Sequence, residues 1–97
     1  MSTEDSSQIN IETFNKDNVI DQLSSQGLEK LALLASNAIQ LNKVAHAKNI
    51  NSKVVTAIIA NVKVKLHELD EESLLNLAKL SADGDELCKV VGAANVW

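Results

Sequence analysis

Residues 23–35 read LSSQGLEKLALLA and residues 69–81 read LDEESLLNLAKLS, at an offset of 46 residues and without a gap. Each copy begins with a leucine and a residue that can cap a helix, and each continues into the pattern Leu-x-x-Leu-Ala-x-Leu. Such a pattern is typical of the start of an amphipathic helix. We interpret the copies as two similar helix starts rather than a duplication, because the agreement fades upstream, where Val19 faces Lys65.

Apolar spacing around these two starts predicts an all-α fold, a small bundle of about five helices after a disordered N-terminal tail. The tail is predicted to cover residues 1–15, with Phe14 packed on the first helix, and a single helical domain is predicted to cover residues 16–97. The second and third helices are predicted to be long. The predicted helices span 16–23, 26–47, 53–69 and 71–82, followed by a last helix after Asp85, and the predicted caps are Asn15, Ser24 or Ser25, Ser52, Asp70 and Asp85.

Length and cysteine content limit how the chain gains stability. The 97 residues include one cysteine, Cys88, so no disulfide can form within the chain. A domain of this size has a thin core, and self-association is a natural supplement to it. The lone thiol and the absence of a signal peptide predict an intracellular, cytoplasmic location. The apolar runs are far shorter than the ~20 residues of a membrane span, so no membrane partner is expected.

Charge is unevenly distributed along the chain, whose net charge is −4. Residues 31–67 contain five lysines and no acid, whereas residues 68–97 contain seven acids and two lysines. The chain has no arginine. Because arginine is the usual side chain for bidentate contacts to guanine and phosphate, its absence weakens any hypothesis of sequence-specific DNA recognition.

A protein interface is predicted on the second helix. At ~100° per residue, Leu33 and Val44 fall opposite the core face, near Asn37 and Gln40. Exposed apolar side chains in this position suggest a surface that a second chain covers, with a dimer favoured. Trp97 is interpreted either as a plug for the end of the bundle or as an anchor for a partner.

A second hypothesis comes from residues 44–58, VAHAKNINSKVVTAI. A small residue, a turn residue that tolerates the left-handed region, an apolar anchor and a capping serine follow one another at Ala45, Asn49, Ile50 and Ser52. The segment resembles the helix-turn-helix motif of DNA-binding proteins, with Lys48 as a departure where an apolar residue is expected. The resemblance implies nucleic-acid contacts by a set of exposed side chains, namely Lys43, Lys48, Lys53, Thr56, Lys63 and Lys65.

Catalytic and metal chemistry is not indicated. His46 and His67 are the only imidazoles, and they lack the spacing of a zinc motif. Acidic neighbours of Cys88 oppose thiolate formation, and Asp83-Gly84-Asp85-Glu86 lacks the ligand pattern of a calcium loop. We therefore predict no catalytic, cofactor or metal site. The expected function is that of a non-enzymatic protein–protein interaction module that self-associates, an adaptor, regulatory or viral assembly protein, with the DNA-binding protein as the alternative.

Overall fold

The computed structural model describes residues 9–15 and 19–95. Over this range the chain is all-α, which confirms the predicted fold class, and it contains no strand. The five α-helices are α1 (Ser25–Leu34), α2 (Ala38–Ala45), α3 (Ser52–Ala60), α4 (Glu71–Leu80) and α5 (Gly84–Ala94). Short 3₁₀ helices lie at Ile11–Asn15, Ile20–Gln22 and Leu66–Glu68.

The doubled sequence is a doubled structural unit. A 3₁₀ helix, an α-helix of ten residues and a second α-helix follow one another twice, first through α1 and α2 and then through α4 and α5. Each of these three element starts is repeated at the offset of 46 residues, from Ile20 to Leu66, for example. The copies are therefore more than two similar helix starts, and α3 is the helix between them.

Backbone geometry agrees between the two units at their helix ends. The matched φ/ψ pairs are Ser24 (−73°/171°) and Asp70 (−74°/169°), Ala35 (−55°/133°) and Ser81 (−55°/134°), and Asn37 (−152°/169°) and Asp83 (−152°/176°). The side-chain caps match as well. Gln40 Oε1 accepts a hydrogen bond from Ser36 N at 2.9 Å, and Glu86 Oε1 accepts one from Ala82 N at 2.9 Å.

Polar contacts between α2 and α4 join the two units. Ser73 Oγ donates to Asn42 Oδ1 at 2.9 Å, and Asn76 Nδ2 donates to the carbonyl of Ala45 at 3.0 Å. Elsewhere α1 packs chiefly against α3, and α4 packs chiefly against α5. The molecule is elongated, with principal extents of 42 × 22 × 20 Å, as expected when helical units stack in a row.

The N-terminal segment packs on α1, although residues 1–15 were predicted to be a tail. Ile9 and Phe14 are buried, and a Cβ on Gly27 would lie only 2.9 Å from Ile9 Cδ1. Phe14 was predicted to pack on a first helix over 16–23; it lies instead in the core cluster with residues of α1 and α2, and its carbonyl accepts a hydrogen bond from Lys43 Nζ at 2.8 Å. Gly27 matches Ser73 in the second unit, where α2 packs on that side of α4. Residues 9–15 therefore cover the corresponding side of α1. Residues 1–8 lie outside the described residues.

The prediction of a long second helix over 26–47 is wrong. The chain leaves the helix at Ala35, and Asn37 starts α2 by accepting a hydrogen bond from Gln40 N at 2.9 Å. The reason is local, because asparagine at a cap with glutamine three residues later is a strong helix start. Ser24 is the cap of α1, which settles the choice between Ser24 and Ser25.

The long third helix over 53–69 is also wrong, because α3 ends at Ala60 and Asn61 turns its side chain into the core. Asn51, rather than Ser52, caps its start. Asp70 caps α4 as predicted, but α5 begins at Gly84 with Asp83 as its cap instead of Asp85. Of the predicted first helix, residues 16–18 lie outside the described residues, and the rest contains only the 3₁₀ helix Ile20–Gln22.

Candidate interaction surface

An apolar groove lies between α4 and α5 and has a volume of 410 Å³. The groove forms because α4 offers leucines at helical spacing and the last turns of α5 carry small or β-branched residues. Its apolar lining consists of Leu74, Leu75, Ala78, Val90, Val91 and Ala94. Leu75 is 53% exposed and Val91 is 49% exposed. Apolar exposure of this extent in one groove is typical of a surface that binds another protein.

The first unit shows four of the matching positions fully covered, whereas in the second unit Leu74 and Val90 are buried but Ala78 and Val91 are not. Leu28, Ala32 and Val44 are identical to Leu74, Ala78 and Val90 at the offset of 46 residues, and all three are fully buried. Ala45, which matches Val91, is also fully buried. The sequence analysis missed this surface. The signal was present in the repeat, because exposed apolar Leu75 stands where the first copy has Glu29.

One acidic side chain, that of Glu71, lines the groove. The first turn of α4 also contains Glu72, and the first turn of α5 contains Asp85 and Glu86. These carboxylates stabilise the helix N-termini on which they lie. Glu72 lies against His46 and Glu86 lies against Thr56, so the negative charge at the groove itself is that of Glu71.

At the junction of α2 and α4, His46 meets two carboxylates. His46 Nε2 lies 3.0 Å from Asp70 Oδ1, and His46 Nδ1 lies 3.6 Å from Glu72 Oε2. Burial raises the pKa of the Asp70 carboxyl, but the hydrogen bonds from Ser73 and the contact with His46 outweigh burial, so the pKa of Asp70 is lowered from its ordinary 3.8. His46 itself is exposed.

A lowered pKa in the folded state means that ionised Asp70 stabilises the fold above its ordinary pKa, and that this contribution is lost as the pH falls below about 4. We expect Asp70→Asn, which keeps a capping side chain, to cost no more than about 1 kcal/mol at pH 6. The cost should shrink toward zero at pH 3. Urea unfolding of both proteins at the two pH values measures it.

Asp83→Asn is the matched variant for this measurement, since it changes the same kind of cap on α5, away from His46. The loss of unfolding free energy in Asp83→Asn is the cost of replacing a capping aspartate by asparagine where no histidine contacts it. A cost of Asp70→Asn that stays constant between pH 6 and pH 3 would contradict the role assigned to the ionised carboxylate.

The residues predicted for a self-association interface have different positions in the structure. Leu33 is 51% exposed, as expected, but Val44 is fully buried and is therefore removed from the interface. Val44 is buried because the break at Ala35–Asn37 gives α2 a different rotation from that of a continuous helix. Asn37 is exposed and caps α2, and Gln40 is half-buried against Ser36. Trp97 lies outside the described residues.

The residues predicted to contact nucleic acid are partly engaged within the fold. Lys43 Nζ donates to Phe14 O, Lys63 Nζ lies 3.4 Å from Leu34 O, and Thr56 Oγ1 donates to Glu86 Oε2 at 2.7 Å. All six of these residues, including Lys48, Lys53 and Lys65, are exposed. The helices α2 and α3 are joined by a turn, as in the motif that the sequence resembles, but α3 packs chiefly on α1 rather than on α2. Asn49 uses its side chain to donate to Leu23 O at 2.7 Å.

The part of the chain that the structure describes contains no group of three or more His, Cys, Asp or Glu side chains arranged to hold a metal ion. Cys88 is a free, exposed thiol. Among the helices over 9–15 and 19–95, none combines the length and the apolar character that crossing a bilayer requires. Comparisons with protein-family models, with curated proteins and with solved structures found no match.

Proposed function

We propose that this protein is a non-enzymatic helical module that works by binding other protein chains, as an adaptor, regulator or assembly component. The observation that carries this proposal is the apolar groove between α4 and α5, with Leu75 and Val91 about half exposed at its edge. Burying such side chains against a partner releases roughly 25 cal/mol per Å² of apolar surface. An exposed single thiol, Cys88, suits a reducing location, and we place the module in the cytoplasm.

Self-association is part of the proposal, with a dimer favoured. Leu33 on α1 and Ile39 on α2 are 51% and 71% exposed, and both lie apart from the groove in the sequence. In the second unit the matching positions hold the charged residues Lys79 and Asp85. Because these positions hold charged side chains in the second unit, the fold does not require Leu33 and Ile39 to be apolar. Contact between two chains explains why they are.

The alternative, DNA binding, receives less support from the geometry. Glu86 lies against Thr56 on the helix that would enter the groove of DNA, and a carboxylate there repels phosphate. The exposed lysines Lys48, Lys53 and Lys65 would supply only a salt-dependent, sequence-independent attraction. We therefore favour the protein-binding function.

One experiment separates the two functions. Light scattering is expected to give the mass of a dimer, and Leu33→Glu is expected to shift the protein to the monomer, because a carboxylate cannot be buried unpaired in an apolar contact. Duplex DNA titrated at two salt concentrations is expected to show no steeply salt-dependent binding.

The matched control is Gln26→Glu, which places the same carboxylate on another exposed position of α1 and should leave the mass unchanged. A monomeric wild-type protein whose stability Leu33→Glu does not alter would contradict self-association through Leu33. Tight DNA binding that falls steeply with salt and weakens on Lys53→Glu would support the DNA-binding alternative instead.

A further inference from the structure

Comparison of the two repeated units indicates which kind of helix fits the open groove. In the first unit, α3 packs along α1, and Asn61 at its end donates to the carbonyls of Ala32 and Ala35 at 2.7 and 2.9 Å. In the second unit, α4 matches α1 through the offset of 46 residues. A helix in the position of α3 on this second unit would lie along α4, where Leu75 is exposed and Ala78 is half-buried.

Three of the seven positions that line the groove carry the same residue in the first unit. Leu28, Ala32 and Val44 in the first unit are repeated as Leu74, Ala78 and Val90, and the last three line the groove. The other four positions differ. Leu75 for Glu29, Val91 for Ala45 and Ala94 for Lys48 make the second unit more apolar, whereas Glu71 for Ser25 adds a charge. A helix that packs on the first unit therefore finds related side chains and a more apolar surface on the second.

Charge favours the same kind of helix. Glu71 lines the groove, whereas Glu72 and Glu86, on the same two helices, lie against His46 and Thr56. The helix α3 contains Lys53 and no acid, and Lys63 and Lys65 follow it. A basic or neutral helix thus complements the rim, whereas an acidic helix would meet repulsion.

We propose that the groove between α4 and α5 binds a short amphipathic helix of a partner protein, with β-branched aliphatic residues on one face and lysine rather than acid beside them. This inference rests on the proposed protein-binding function and names the partner's chemistry. The mode is that of a helix laid into an apolar groove, read by anchors three and four residues apart. A second copy of this chain does not supply the helix, because Val54, Val55 and Ile58 of its own α3 are fully buried.

The test uses the full chain and a synthetic peptide of residues 50–64, INSKVVTAIIANVKV, labelled for fluorescence anisotropy. We expect saturable binding at one site per chain. Leu75→Glu and Val91→Glu are each expected to weaken binding by about tenfold or more, since each places an acid in the apolar contact. A peptide with Ile58→Glu is expected not to bind, and a peptide with Lys53→Glu is expected to bind more weakly at low salt.

Val62→Glu is the matched control on the protein, because Val62 is 94% exposed and lies neither in the groove nor among the residues proposed for self-association. It should leave the peptide affinity unchanged. Circular dichroism of Leu75→Glu and Val91→Glu should match the wild-type protein, because both side chains are about half exposed, so that a lost affinity reports the contact and not unfolding.

Several outcomes overturn the inference. Peptide binding that is absent, or that Leu75→Glu and Val91→Glu leave unchanged, excludes this occupant. Dimerisation that Leu75→Glu abolishes and that the peptide competes away assigns the groove to a second copy. A peptide that binds only after Trp97→Ala assigns it to the end of this chain. In each case dimer formation through Leu33 is measured separately, so the proposed function can stand while this inference fails.

Discussion

Asn61→Leu is expected to lower the free energy of unfolding by about 3 kcal/mol, a large part of the stability of a domain this small. The buried Asn61 amide donates to Ala32 O and Ala35 O, and its Oδ1 accepts from Lys63 N at 2.8 Å. Leucine is close in size to asparagine but can replace none of these bonds. It leaves the two carbonyls at the end of α1 without their partner in a site closed to water.

Urea unfolding followed by circular dichroism measures this loss. Asn15→Leu is the matched control, because Asn15 occupies the same place relative to the first unit, 46 residues earlier, and is exposed. Its cost should stay within about 0.5 kcal/mol, as for surface substitutions in general. If Asn61→Leu costs no more than Asn15→Leu, the hydrogen bonds of Asn61 do not fix the end of α3.

Local chemistry explains which parts of the fold were predictable. The cap Asp70 was predicted correctly, and the cap of α1 was narrowed to Ser24 or Ser25, because a capping side chain and the leucines after it lie within one turn of each other. The break before α2 had the same kind of signal in Asn37 and Gln40, but the apolar pattern on either side of it continued in helical register and concealed it. Helix length was thus overestimated where two helices share a periodicity.

Tertiary contacts explain the rest. The end of α3 at Asn61 depends on carbonyls that lie 29 and 26 residues earlier in the chain, which no local pattern reveals. The burial of Val44 likewise follows from the rotation that α2 acquires after the break. The candidate groove required the pairing of α4 with α5, although comparing the two copies position by position would have marked Leu75 as apolar where Glu29 is charged.

The two ends of the molecule differ in how far their apolar side chains are covered. Residues 9–15 cover the outer side of α1, with Ile9 packed against Gly27 and the Phe14 carbonyl held by Lys43. On α5, by contrast, Leu87 and Val91 remain 41% and 49% exposed. Row-like helical proteins need polar or covered ends to stay soluble, and the exposed apolar side chains of α5 support the proposal that a partner binds at this end.

Phe14→Ala tests whether the covered end contributes to the fold. Phe14 is 2% exposed, and its removal is expected to lower the free energy of unfolding by about 3 kcal/mol, the typical cost of deleting a buried aromatic side chain. Ile11→Ala in the same 3₁₀ helix is the control, because Ile11 is 43% exposed and should cost about 1 kcal/mol or less. Thermal and urea unfolding measure both. Equal and small costs would mean that residues 9–15 behave as the tail that the composition of the segment predicts. A large cost for Phe14→Ala alone would place the start of the folded domain at Ile9. Among the described residues, the second unit would then be the only one with an open apolar end.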